Sequence, residues 1–349
     1  MISLNEIIVL HEQQRTDKTQ YISFYRNLSL EEGKWLADQG VQLLPENQRL
    51  AEKIFAELAC FVPRSLTDIH PFLMQHGIFY PRHLFKYASP AVSKQFINHI
   101  EGDLNRNLYL LAWIGDQQVE EHFAQLRKNP PEWRSKLYIP PEDYSYNAGW
   151  MLDEYDKRQD LFFEASFRLV KNADQHPLLI CPFETLEERC TQCGNKLAIL
   201  FDFDLMQPEL SFLNLNGTRL RLKTCLDCAA YGTMMTNVDL QGTSEMRKDN
   251  QPNKYGISIQ VYDDYDWSAE RVYLGERRRT PYESLSTLDD FQSQIGGHPF
   301  WWDDAHYPKC VICQKPMLYI AQIQLSSGGF YYAHLCKDCG VAAVHYQNS

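Results

Sequence analysis

Cys190-Thr-Gln-Cys193 and Cys225-Leu-Asp-Cys228 are separated by 31 residues, and Cys310-Val-Ile-Cys313 and Cys336-Lys-Asp-Cys339 by 22. These four CxxC pairs account for eight of the ten cysteines. Each interval carries a β-hairpin signal. In the first, Ser211–Leu215 and Thr218–Leu222 flank Asn216-Gly217. In the second, Met317–Leu325 and Phe330–Leu335 flank Ser326-Ser327-Gly328-Gly329. Knuckle, hairpin, knuckle is the layout of a zinc ribbon, in which the hairpin returns the chain so that four thiolates surround one ion. The reading is two structural Zn2+ ions, held by Cys190, Cys193, Cys225 and Cys228, and by Cys310, Cys313, Cys336 and Cys339. A redox CxxC expects a thioredoxin-like βαβ unit, which the pattern lacks. Iron–sulfur ligation also takes four thiolates, and spacing does not distinguish it.

The two ribbons read as repeats. Leu197, Ile199, Leu200, Phe203 and Leu205 follow the first knuckle at the offsets at which Met317, Tyr319, Ile320, Ile323 and Leu325 follow the third. Such a duplication predicts two similar units, and spacing leaves open whether knuckles exchange partners between them.

Working outward, the first 135 residues read as helices. Ser29-Leu30-Glu31-Glu32 is a capping box, and Ile54, Phe55, Leu58 and Phe61 recur at helical spacing after Asn47. Ser89-Pro90 opens another helix, and Gly115-Asp116 ends one helix and caps the next. Leu111–Asp116 resembles the turn inside a HEAT repeat, so the helical domain is expected to be HEAT-like. Asn129-Pro130-Pro131 and Pro140-Pro141 stop the helices, and residues 136–160 read as an extended, aromatic-rich connector. From Leu161 to the end the pattern is strands, including Tyr255, Ile257, Ile259 and Val261 in alternation. The expected architecture is α+β: a helical domain over 1–135, a connector over 136–160 and a β-rich domain over 161–349.

The net charge of −11 argues against a phosphate-binding surface and suits a basic protein partner. The start of the chain shows no signal-peptide pattern and no apolar run reaches membrane-spanning length. A cytoplasmic location and no membrane partner are therefore expected, and there CxxC pairs favour metal over disulfide.

Other candidates carry less. His298, Asp303, Asp304 and His306 gather near the third knuckle, where a structural turn accounts for them better than a second metal or acid–base site. Cys60 and Cys181 read as core residues. Asp263, Asp264, Tyr265, Asp266 and Trp267 form an acidic–aromatic stretch that offers a partner-binding surface. No nucleophile elbow, phosphate loop or HExxH motif occurs, so no catalytic residue is assigned.

The segment Ile295-Gly296-Gly297-His298-Pro299-Phe300-Trp301-Trp302, then His306-Tyr307-Pro308-Lys309-Cys310, and onward through Met317 to Ile320-Ala321-Gln322-Ile323 resembles the YwqG-like family of bacterial domains. The resemblance covers about Leu274 to His345. It implies a place in toxin–immunity neighbourhoods, hence an immunity protein that occludes a toxin's active site. Two alternatives stand beside it: a zinc-ribbon adaptor for nucleic acid or a transcription component, and an enzyme with an unrecognised cleft site.

Overall fold

The computed structural model describes residues 7–9, 11, 18–171, 178–251, 267–287, 292–326 and 328–348. The architecture is α+β, a helical region followed by a β-rich one. Two compact units divide the chain: Met1–Asp160 with Tyr282–Asp290, and Leu161–Pro281 with Phe291–Ser349. No helix among the described residues is long and apolar enough to cross a membrane.

In the first unit the helices are α1 (Lys18–Asn27), α2 (Leu30–Leu43), α3 (Gln48–Phe61), α4 (His70–Gln75), α5 (Pro90–Asn98), α6 (Leu104–Ile114) and α7 (Gln117–Lys128). The capping box is complete: the Ser29 hydroxyl accepts from Glu32 N, and the Glu32 carboxylate accepts from Ser29 N at 2.9 Å. Asn47 and Asp116 cap α3 and α7, their side chains accepting from Leu50 N and Val119 N. Gly115, left-handed at φ 53°, closes α6. Gly40 of α2 lets that helix approach α3, since a Cβ there would lie 2.5 Å from the Phe55 ring. Gly115 and Asp116 join α6 to α7 as C-cap and N-cap. Elsewhere the 3₁₀ segments Pro63–Ile69, Arg82–Phe85 and Ile100–Gly102 interrupt the helices, so the described residues form an irregular bundle rather than a regular array.

The expected extended connector is not extended. Glu132–Lys136 and Pro141–Ala148 are 3₁₀ turns, and β1 (Trp150–Leu152) pairs with β2 (Arg158–Asp160). Buried aromatic N–H groups draw it onto the helices. Trp113 Nε1 donates to Asn147 Oδ1 at 2.9 Å, and Trp150 Nε1 donates to Ala112 O at 2.8 Å. Proline stopped the α-helices here without preventing 3₁₀ turns, for which its fixed φ is suited.

Tyr282–Asp290 also belongs to this unit, far from it in sequence. Arg26 Nε donates to the fully buried Glu283 carboxylate at 2.9 Å, and Ser286 Oγ donates to buried Glu57 at 2.6 Å. Tyr282 packs edge-to-face on Trp113.

The second unit is built on two antiparallel sheets. β5 (Glu184–Arg189), β6 (Lys196–Asp204) and β7 (Arg219–Thr224) form the smaller one. The larger contains β3 (Ser166–Val170), β4 (Leu179–Cys181), β8 (Met234–Val238), β9 (Ser244–Met246), β10 (Val272–Arg277), β11 (Gln294–Gly296), β12 (Leu318–Gln324), β13 (Phe330–Cys336) and β14 (Val341–Gln347). Its order is β4-β10-β3-β11-β12-β13-β14-β8-β9. One apolar core takes Leu197, Phe201, Phe203, Leu220 and Leu222 from the small sheet and Ile323, Tyr331, Ala333, Leu335 and Val344 from the large one. This burial is the main driving force for the unit.

The second hairpin lies where the sequence places it. In the first, the expected second arm is β7, but Ser211–Leu215 lies in and just beyond the 3₁₀ turn Pro208–Leu213, and β7 pairs instead with β6 across Leu205–Thr218. Leu213 is buried in the core, and Phe212 and Leu215 pack partly buried against it, which explains the apolar run that read as a strand. The alternating stretch from Tyr255 to Val261 lies outside the described residues.

The duplication extends to backbone detail. β6 and β12 end at Asp204 and Gln324, 120 positions apart, and β7 and β13 begin at Arg219 and Phe330, 111 apart. The difference of nine residues lies wholly in the hairpin connection. A register shift between Ile199 and Phe201 against β7 recurs between Tyr319 and Ala321 against β13, again 120 positions on. Such bulges are specific features of a strand pair.

Candidate metal centres

Each first knuckle is the same turn. Cys190 N donates to Asn195 O at 2.8 Å and Gly194 N to Cys190 O at 2.9 Å. In the second ribbon Cys310 N donates to Lys315 O at 2.9 Å and Gln314 N to Cys310 O at 2.8 Å. The turn needs a left-handed residue after the second cysteine, supplied by Gly194 (φ 82°) and Gln314 (φ 61°). The flanking pairs Arg189↔Lys196 and Lys309↔Pro316 close the base of each knuckle. The second knuckles differ in form. Cys225 N-caps the one-turn helix α8 (Leu226–Ala229), which carries Cys228, whereas Cys336 ends β13 and Cys339 precedes Gly340 (φ 61°).

Cys190, Cys193, Cys225 and Cys228 form one group, and Cys310, Cys313, Cys336 and Cys339 the other. Within each, all four sulfurs lie within 4.8 Å of one another. Knuckles are not exchanged between ribbons. The Sγ–Sγ separations are 3.7 Å for Cys190–Cys228, 3.5 Å for Cys193–Cys225 and 3.7 Å for Cys313–Cys336. A disulfide needs about 2.05 Å. The edge of a tetrahedron with metal–sulfur bonds of about 2.3 Å is roughly 3.8 Å. All ten cysteines are free thiols, and both groups fit a tetrahedral metal ion.

The electrostatics agree. With no cation, four crowded thiols cannot ionise together. Hydrogen bonds from Cys225 and Cys228 pull the Cys190 thiol down, while Cys225 and Cys228 are pushed up by bonding to the Cys190 sulfur. Backbone hydrogen bonding at Lys315 favours the Cys313 thiolate, and burial pushes Cys336 up. A bound divalent ion removes the conflict by stabilising every thiolate at once.

The surroundings of the two groups differ. Cys190, Cys225 and Cys228 are buried in the main core, and Asn195 Nδ2 donates to Asp227 Oδ2 at 2.7 Å, tying the two knuckles of that group together. Tyr331 Oη donates to Leu226 O at 3.1 Å from the neighbouring ribbon. At the second group only Cys310 is buried, and its packing is a small cluster of Met317, Val341, Ala343 and Met235. Met235 arrives on β8, the strand that follows the first ribbon and pairs with β14.

The Gly296–Lys309 segment lies over the sheet face opposite the core. Gly296 (φ 63°) and Gly297 (φ 69°) turn it there, and a Cβ on Gly296 would meet Ala165 O at 2.2 Å. Phe300 N then donates to Gln322 Oε1 at 2.9 Å, Tyr332 Oη donates to Phe300 O at 2.7 Å, and Gln347 accepts from Trp302 N and Asp303 N. His298 is buried, with its ring nitrogen 2.8 Å from Pro299 O. Asp303 and Asp304 are exposed. No ligand group among the described residues includes His298, Asp303, Asp304 or His306. Under the segment, Trp301 packs on Tyr332 at 4.9 Å, and His334 and His345 stack at 5.2 Å. Neither ring of that pair has a hydrogen-bond partner among the described residues. Sequence reading missed this pair, whose sequence signal is a single histidine inside each of two largely apolar strands.

Cys60 and Cys181 are core residues. Cys60 Sγ lies 3.4 Å from His83 Nε2, and burial pushes the Cys181 thiol up. Asp263, Asp264, Tyr265 and Asp266 lie outside the described residues, and of Trp267 only the backbone is described, at the start of the 3₁₀ turn Trp267–Glu270.

The chain matches no known family profile and no solved structure. It is 31% identical over 341 residues to uncharacterized protein YpfL of Salmonella typhimurium, covering 93% of this chain and 79% of that protein. Two chains alike over that much of their lengths share one fold, and this protein belongs to the same family as YpfL.

Proposed function

We propose that the two sulfur groups hold structural zinc and that the protein works by binding rather than catalysis. The observation that carries this is the closure of both groups: four cysteine sulfurs fill the four corners of each tetrahedron, leaving no corner for substrate or water. Zinc suits such an all-thiolate cage without a ligand-field demand, and a reducing cytoplasm suits ten free thiols. Metal analysis of purified protein is expected to find two zinc ions per chain. Iron in their place would give visible absorption bands and discard the zinc assignment.

Within that reading, the protein is a bacterial immunity protein that captures a basic protein toxin and covers its active site. The net charge of −11 favours encounter with a cationic partner, and Asp263, Asp264, Tyr265, Asp266 and Trp267 are the first contact surface to test. The YwqG-like resemblance supplies the toxin–immunity setting, and rests on the residues quoted for it. Expression beside the toxin domain of the neighbouring gene should restore growth, with a stable complex on gel filtration. A toxin domain that neither binds nor is neutralised removes the immunity reading.

A further inference from the structure

We infer that the second sulfur group is an oxidation site, at which a peroxide converts Cys313 and Cys336 to a disulfide and expels the ion while the first group keeps its own. This rests on the reading that both groups hold metal. The two groups share a donor set and differ in cover. In the first group only Cys193 is partly open to solvent: Cys190, Cys225 and Cys228 are buried in the main core, the Asn195–Asp227 bond joins the knuckles, and Tyr331 caps Leu226 O. In the second, Cys313, Cys336 and Cys339 are all partly open to solvent. Oxidation of thiolates follows access, so a small oxidant in water meets this group first.

The step balances. Cys313 Sγ attacks one oxygen of hydrogen peroxide, the O–O bond breaks, and hydroxide leaves behind a sulfenic acid. Cys336 Sγ, 3.7 Å away, then attacks that sulfur, forming the S–S bond and expelling the second hydroxide. Two thiolates lose two electrons, and peroxide with two protons becomes two waters. The ion, reduced to two sulfur ligands, departs as the dication.

The test uses the full-length metal-loaded protein, hydrogen peroxide and a chromogenic chelator, with oxidised cysteines mapped by differential alkylation and mass spectrometry. One ion per chain is expected to leave first, with Cys313 and Cys336 linked roughly tenfold faster than any of the first four cysteines reacts. The Cys336→Ser variant should carry one ion that peroxide leaves in place. Release of both ions together, earlier reaction at Cys190, Cys193, Cys225 or Cys228, or loss of the ion with no Cys313–Cys336 link overturns the inference. A preparation without metal before any peroxide is added overturns the metal reading itself.

Discussion

Cys193 Sγ and Cys225 Sγ lie 3.5 Å apart although 31 residues separate them, and the strands β6 and β7 between them are what bring them together. Hairpin and cage are thus one cooperative element. Structural metal binding contributes on the order of 10–16 kcal/mol to sites of this kind, comparable with or above the ~5–15 kcal/mol stability of a domain. Chelation is expected to unfold the second unit, seen as loss of strand signal in circular dichroism, while helices α1–α7 keep theirs. Cys225→Ser should lower the metal content by one ion per chain. Strand signal unchanged after complete metal removal would show that the core suffices alone.

Gly296 should tolerate no side chain. Its φ of 63° and the 2.2 Å approach of a Cβ to Ala165 O make Gly296→Ala costly, by roughly 1–3 kcal/mol from the backbone conformation alone. Gly102→Ala, where nothing lies within 4 Å, is the control and should stay within about 0.5 kcal/mol. Thermal melts of both variants read the difference.

The return of Tyr282–Asp290 to the helical unit depends on buried polar partners. Glu283 is fully buried against Arg26, at 2.9 Å. Arg26→Met removes the charged partner of that carboxylate and should cost about 3–5 kcal/mol, as breaking one side of a buried pair does. Ser286→Ala removes a 2.6 Å donor from Glu57 and should cost about 1–3 kcal/mol. Urea unfolding followed by helical ellipticity measures both.

Acid should weaken the helical unit through His83. Burial holds its imidazole down at about 4, against an ordinary value of 6.5. Between those values the unfolded chain binds a proton that the folded one refuses, so stability falls as pH drops from 6.5 toward 4 and levels below. The full loss is on the order of 3 kcal/mol. Replacing His83 with Gln should flatten that part of the stability–pH curve. An identical slope in wild type and variant would assign the acid sensitivity elsewhere.

Much of the metal chemistry was legible along the chain because its determinants are local. Two cysteines at i and i+3 with a left-handed residue after them encode one turn, and Gly194 and Gln314 occupy that position. The repeat offsets that relate Leu197 to Met317 likewise marked the apolar runs that become β6 and β12, although only the second was read as a strand of its hairpin. The first hairpin was misplaced for the converse reason. Leu210 and Leu213 are apolar to reach the core from a 3₁₀ turn, and apolar content by itself does not specify backbone conformation.

The sequence by itself determined the α+β order, the helix caps and which eight cysteines make up the sulfur groups, since each follows from residues close together or from a repeated spacing, whereas the structure decided that each group draws both knuckles from one ribbon. Only the tertiary structure decided that β8 leaves the first ribbon to pair with β14 of the second, that Tyr282–Asp290 joins the helical unit, and that one sulfur group lies in the main core while the other does not. These depend on hydrogen bonds and burial between residues as far apart as Arg26 and Glu283. Such pairings leave no periodic trace, because each partner's side chain is chosen by a surface it meets only after the chain has folded.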